Sequence, residues 1–111
     1  MAIKANIVID QGTDFSAIVD VEDDVGGAWD LTGWDAFAQM RKNYSSTTAH
    51  DFVCSDNNGG GQITLSMSSN TTKDLEPGRY LYDIEITSNG GTVLRVVEGV
   101  ATVTPGITRS V

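Results

Sequence analysis

A single cysteine, Cys54, excludes an intramolecular disulfide, so this chain must be held together by packing alone. In a strand, Phe52 and Cys54 would share one apolar face, which reads Cys54 as a small core hydrophobe; as a nucleophile it would need a partnering base. There is one histidine, His50, and its neighbour Asp51 would point to the opposite face of a strand, so the pair cannot orient each other as a Ser-His-Asp triad requires. Zinc takes three or four protein ligands, and His50 with Cys54 supplies at most two. No apolar run approaches the ~20 residues of a membrane helix. The N-terminus lacks the basic-then-apolar order of a signal peptide, so synthesis in a cytoplasm is the expectation. Cations are scarce too: seven Lys and Arg stand against fifteen Asp and Glu, a net charge of −8, and no phosphate-neutralising stripe can be assembled. Nucleic acid and membrane are thereby excluded as partners.

Other signals for chemistry are weak. Asp20, Glu22, Asp23, Asp24 and Asp30 cluster in sequence, but the fixed spacing of a calcium loop is missing and acidic turns are ordinarily solvated. Gly59-Gly60-Gly61 carries no following Lys-Ser or Lys-Thr and reads as a turn, not a phosphate cradle. Asn43-Tyr44-Ser45 and Asn70-Thr71-Thr72 match the glycosylation sequon, which carries little weight without a secretory signal. The expectation is a non-enzymatic protein with no cofactor, metal or catalytic residue.

What the chain does have is alternation and glycine. Tyr80, Tyr82, Ile84 and Ile86 alternate with Leu81, Asp83, Glu85 and Thr87, the period of a strand with one wet face. A Val- and Thr-rich return strand follows Asn89-Gly90-Gly91, so residues 78–104 form a long hairpin with a three-residue loop ending in a left-handed glycine. That loop sets Ile86 opposite Leu94, Ile84 opposite Val96 and Glu85 opposite Arg95. Beyond Val96 the inward phase must shift to keep Glu98 out of the core, and a bulge at Glu98-Gly99 would do this.

Earlier in the chain, Ile3, Ala5, Ile7 and Ile9 share one face of a first strand, and Phe15, Ala17, Val19 and Val21 one face of a second. Residues 22–27 form a charged, glycine-ended loop, and Asp30-Leu31-Thr32-Gly33 a tight turn with Leu31 tucked beneath it. A third strand runs from Trp34, with either its Trp34 face or its Phe37 face inward. Ala49–Ser55 is a fourth strand and Gln62–Ser66 a fifth, with Ile63 and Leu65 inward; one helical turn capped by Ser69 precedes Pro77-Gly78. Seven short strands with no strong helix predict an all-β chain, an antiparallel immunoglobulin-like β-sandwich over residues 1–104 followed by an extended tail, 105–111.

Such a sandwich meets other molecules through open edges and exposed aromatics. The uncharged face of the first strand (Ile3, Ala5, Ile7, Ile9), the aromatics Trp29 and Tyr44, and the tail residues Ile107 and Arg109 are the candidate interaction residues. Each tryptophan has a competing reading as a core residue. A second function class is a carbohydrate- or receptor-binding module using Trp29 or Tyr44 beside the acidic 22–24 loop.

Three stretches, IVIDQGTDFSAIVDV, WDLTGWDAFAQMRKNYSSTTA and GRYLYDIEI with GTVLRVVEGVATVTPGITR, together resemble the small β-sandwich virion proteins of tailed bacteriophages, including phages of cyanobacteria. The D-L-T-G turn, the G-x-Y-x-Y-D strand and the glycine-bearing last strand are similar to the N-terminal attachment domain of upper baseplate receptor-binding proteins. The resemblance implies a structural component of the virion, in a tail or baseplate position ahead of capsid decoration. Its implied partners are other virion proteins and copies of itself in a symmetric assembly. Receptor-binding relatives continue into a fibre where this sequence stops at Val111, which favours an adaptor, assembly or cement role.

Overall fold

The computed structural model describes residues 3–21, 27, 29–57 and 60–106. Among them, two sheets face each other across one core, as the alternation predicts. The larger holds β1 (Ile3–Lys4), β2 (Ile7–Asp10), β4 (Trp34–Arg41), β5 (His50–Asp51), β8 (Gly78–Ser88) and β9 (Val93–Thr104), in the order β1-β9-β8-β4-β5 with β2 also on β9. The smaller is β3 (Phe15–Asp20), β7 (Gln62–Met67) and β6 (Val53–Asn57), in the order β3-β7-β6. This division of strands is the immunoglobulin-type arrangement, with β3, β7 and β6 on one sheet and β4, β8 and β9 on the other. A second mark of that fold is present. Tyr80, near the start of β8, donates its hydroxyl to the Glu76 carbonyl four residues upstream at 2.7 Å, tying the corner between β7 and β8. Two residues on, where antibody domains carry an inter-sheet cysteine, stands the buried Tyr82.

The hairpin forms on the expected loop. Ser88 N–H bonds to Thr92 O at 2.9 Å, leaving Asn89-Gly90-Gly91 between them, and Gly91 takes φ +89°. Ile86 faces Leu94 and Glu85 faces Arg95, but Ile84 faces Val97, not Val96. The bulge therefore sits at Val96, earlier than expected. It lets two consecutive apolar residues, Val96 and Val97, enter the core together, and it returns Glu98 to the outside near Arg95. Arg95 pairs with Asp83 at 3.1 Å and Glu98 at 3.8 Å. Gly99 serves a different purpose: a Cβ there would lie 2.1 Å from the Ala5 carbonyl oxygen, so only glycine lets the first strand cross at this distance.

That first strand corrects the wholly antiparallel expectation. β1 and β2 run parallel to β9, with Ile3 opposite Val97 and Ile7 opposite Ala101, so the large sheet is mixed. The reason is the turn at 11–14, which sends β3 to pair with β7 in the other sheet and leaves β2 to find its partner at the far end of the chain. The fourth strand also divides. His50–Asp51 pairs with β4, Val53–Asn57 pairs with β7, and the buried Phe52 between them marks where the chain changes sheets.

In β4 the face of Ala38 and Met40 is buried and Phe37 is outward. Trp34 packs edge-on against Trp29, with ring centres 5.9 Å apart. Leu31 is fully buried beneath its turn, and the Asp30 carboxylate accepts the Thr32 N–H at 3.0 Å. The helical turn α1 (Ser69–Thr72) is preceded by Ser68, not capped by Ser69, and the side chain that accepts the Ser69 N–H is Asp14, at 2.7 Å. Thr72, fully buried, donates to Thr13 O and accepts from Gly12 N, stitching α1 to the turn between the sheets.

Candidate functional site

The residues with catalytic chemistry are dispersed. His50 packs edge-on against the Tyr80 ring at 5.8 Å, while Asp51 accepts a 2.6 Å hydrogen bond from the Gln39 amide on the outer face. Burial pushes the Cys54 thiol up to about 11, which keeps it protonated and unreactive near neutrality. Hydrogen bonds from Thr32, from its side chain first and its backbone second, hold the Asp30 carboxyl below its ordinary range. Among the described residues no three His, Cys, Asp or Glu side chains converge on a metal-sized site; the acidic run at 22–24 lies outside them.

Two surfaces stand out instead. The first is the seam between β1/β2, the terminal strand of the large sheet, and β3, the terminal strand of the small one. A groove of about 550 Å³ runs between these two open edges. Small side chains, Ala5 and Ala17, leave it unfilled, and Asp20 is the only charged side chain among the described residues lining it. Natural edge strands are usually blunted by charge, proline or a bulge. Here Val8 is 60 % exposed and Ile18 64 %, with Ile3 beside them.

Of the sequence candidates, Ile3 lies on this seam and Ala5 is half-buried in it. Ile9 is wholly in the core, and Ile7, though buried, borders the groove floor, because alternation from a half-buried edge turns that face inward. What β2 offers a partner is its backbone edge and Val8. Ile107 and Arg109 lie outside the described residues. Sequence reasoning passed over Val8 and Ile18, although the signal was there: each is a β-branched apolar residue in the outward phase of its strand.

The second surface is the outer face of the large sheet. Tyr44, 88 % exposed, tops a loop that its neighbours hold rigidly. Asn43 Oδ1 accepts from Ser45 N, Ser45 Oγ and Ser46 Oγ, and Arg41 donates to Ser46 O at 2.6 Å. Tyr44 overlooks a trough of about 460 Å³ floored by Leu81 and Val100, which are paired across β8 and β9. Trp29 belongs elsewhere. It packs on Trp34, opposite Ser88, whereas Tyr44 follows Arg41, opposite Leu81, so the two aromatics sit at opposite ends of β4, whose terminal residues are roughly 24 Å apart at strand rise. They cannot form one patch.

No family model and no curated protein matches this chain. Solved structures to which this chain is similar include an internalin-like protein of Listeria monocytogenes, with 16% identity and TM-score 0.46 over 93% of this chain and 28% of that one. A family 123 glycoside hydrolase from Clostridium perfringens is similar at 13% identity and TM-score 0.42, over 93% of this chain and 23% of the other. A Photobacterium 2,6-sialyltransferase is similar at 10% identity and TM-score 0.39, over 94% and 18%. The chain thus spans less than a third of the length of each of these proteins.

Proposed function

We propose that this chain is a non-enzymatic structural component of a tailed-phage virion, an adaptor or assembly protein of the tail or baseplate that docks by its sheet edges. The observation that carries the docking mode is the open seam, where two adjacent edge strands flank an apolar groove and display Ile3, Val8 and Ile18. An extended segment of a neighbouring virion subunit, or a second copy of this chain, would add to the β3 or β2 edge through main-chain hydrogen bonds and set alternate side chains into the groove. Each contact is modest, and repetition in a symmetric assembly makes the array stable. The sequence resemblance to baseplate attachment domains supports the virion assignment, and the scattering of His50, Asp51 and Cys54 supports a role without catalysis.

Mass spectrometry of purified phage particles should detect the chain, and its density should be found with the β2–β3 seam against a neighbouring subunit. Density in the tail or baseplate separates this role from capsid cement. Absence from particles, or a position in which the seam faces solvent, would overturn the proposal.

A further inference from the structure

Apart from the seam, the outer face of the large sheet combines concavity, exposed aromatic rings and charges of both signs. A shallow cavity of about 460 Å³ lies on it, and a second of about 560 Å³ adjoins it at Gln39, Asp83 and Glu85 and continues round the β4 edge to Phe52 and Cys54. An aromatic ring stands at each end: Phe37, 60 % exposed, beside the second cavity and Tyr44 beside the first. The cross-strand register places Phe37 at Glu85, Gln39 at Asp83 and Arg41 at Leu81, so the polar shared residues lie between the rings. From Phe37 to Arg41 the strand covers about 14 Å. Isolated exposed aromatics are ordinary. Two of them bracketing adjoining cavities, one on a loop fixed by five hydrogen bonds among Asn43, Ser45, Ser46 and Arg41, are an arrangement with a use.

Charge narrows the ligand class. The chain is strongly acidic, yet the first cavity is balanced, with Lys4, Arg41 and Arg95 against Asp83, Glu85 and Glu98. Three of the seven basic side chains are gathered here. A polyanion would meet the field of the acidic chain, and a simple cation would compete with Arg95 for Asp83 and Glu98. Lys4 and Glu85 make no ion pair among the described residues, so one donor and one acceptor remain open at the rim. An apolar floor, stacking rings at both ends and uncommitted donors and acceptors between them fit a neutral, polyhydroxylated chain. Its C–H faces would lie on the rings and on Leu81, and its hydroxyls would bond to Glu85 and Lys4, while Gln39 is already held by Asp51 and Arg41.

We propose that this face binds a short neutral oligosaccharide laid along β4 from Phe37 to Tyr44. The reading is independent of the seam and of the virion assignment. It is tested by titrating the isotope-labelled chain with malto-, cello-, manno- and chito-oligosaccharides, with a heparin fragment as the polyanionic comparison, and following backbone amide shifts. The expected result is that at least one neutral series shifts Gln39, Leu81 and Tyr44. Tyr44→Ala and Phe37→Ala should each weaken that binding about tenfold or more while leaving thermal unfolding unchanged. Glu85→Gln, a near-isosteric change on the surface, should weaken it without affecting the fold. No shift with any of the four series would overturn the proposal. So would binding of the heparin fragment alone, or binding that both aromatic variants retain in full.

Discussion

The two sides of the sandwich, where the chain passes from one sheet to the other, are built in opposite ways. On the β5–β6 side a single buried residue, Phe52, makes the crossing, with its ring 6.0 Å from Phe15 and 6.1 Å from Tyr82. On the β2–β3 side the crossing is a turn, and the space between the strands is left to Ala5 and Ala17. Outside the Phe52 ring the first side keeps a cavity of about 560 Å³ lined by Asp51, Asp83 and Glu85 as well as Cys54, whereas the groove of the second has apolar rims and, among the described residues, one charge, Asp20. Charge in the lining, more than open volume, therefore separates the two flanks of this immunoglobulin-like sandwich as surfaces for another chain.

The contrast can be broken most severely at the buried crossing. Phe52→Ala should cost about 3–5 kcal/mol, because it leaves a cavity between Phe15 and Tyr82, and chemical denaturation would read it directly. Gly99→Ala attacks the open side from within: its Cβ collides with the Ala5 carbonyl, so β1 should lift from β9 at a cost of about 1–3 kcal/mol. Faster hydrogen exchange confined to the first strand and its β9 partners is the expected signature.

Tyr82 links the same strand to the core by donating its hydroxyl to Ala5 O. Tyr82→Phe should cost about 1 kcal/mol in denaturant unfolding. Burial raises this phenol from 10.0 to about 12, so its contribution is intact below pH 10 and is lost as pH climbs from 10 towards 12. Unfolding measured across that window should show a falling stability that the Phe variant lacks in part. The smallest effect on stability, within about 0.5 kcal/mol, is expected for Val8→Lys and Ile18→Lys on the exposed rims. Under the proposed docking mode, those same changes should abolish incorporation into particles, separating docking from folding.

How much of this was legible in the sequence depended on how far apart the partners lay. Faces within a strand could be read from alternation: Tyr80 to Ile86, Ile63 with Leu65, and Phe15 with Val19 are all buried as expected. The hairpin loop was equally local, and Gly91 has the left-handed conformation its position required. Partners across the chain could not be read in this way. Alternation says which face of β2 is inward but not that β9 lies beside it in parallel. Gly99 suggested a bulge because its neighbour is charged, yet its true constraint is the Ala5 carbonyl, supplied by the opposite end of the chain. The outer-face trough was likewise hidden, since it brings Lys4, Gln39, Tyr44 and Arg95 together from four separate segments.

The parallel pairing of first and last strands has a mechanical consequence. Ile3 sits beside Val97 and Asp10 beside Thr104, so the polypeptide enters at one pole of the large sheet and leaves at the other. Tension applied between those poles would drag β9 and β2 lengthwise past each other, loading their ladder bonds together instead of one after another. A module wired this way resists stretching far better than one whose hairpin is peeled open from a shared end.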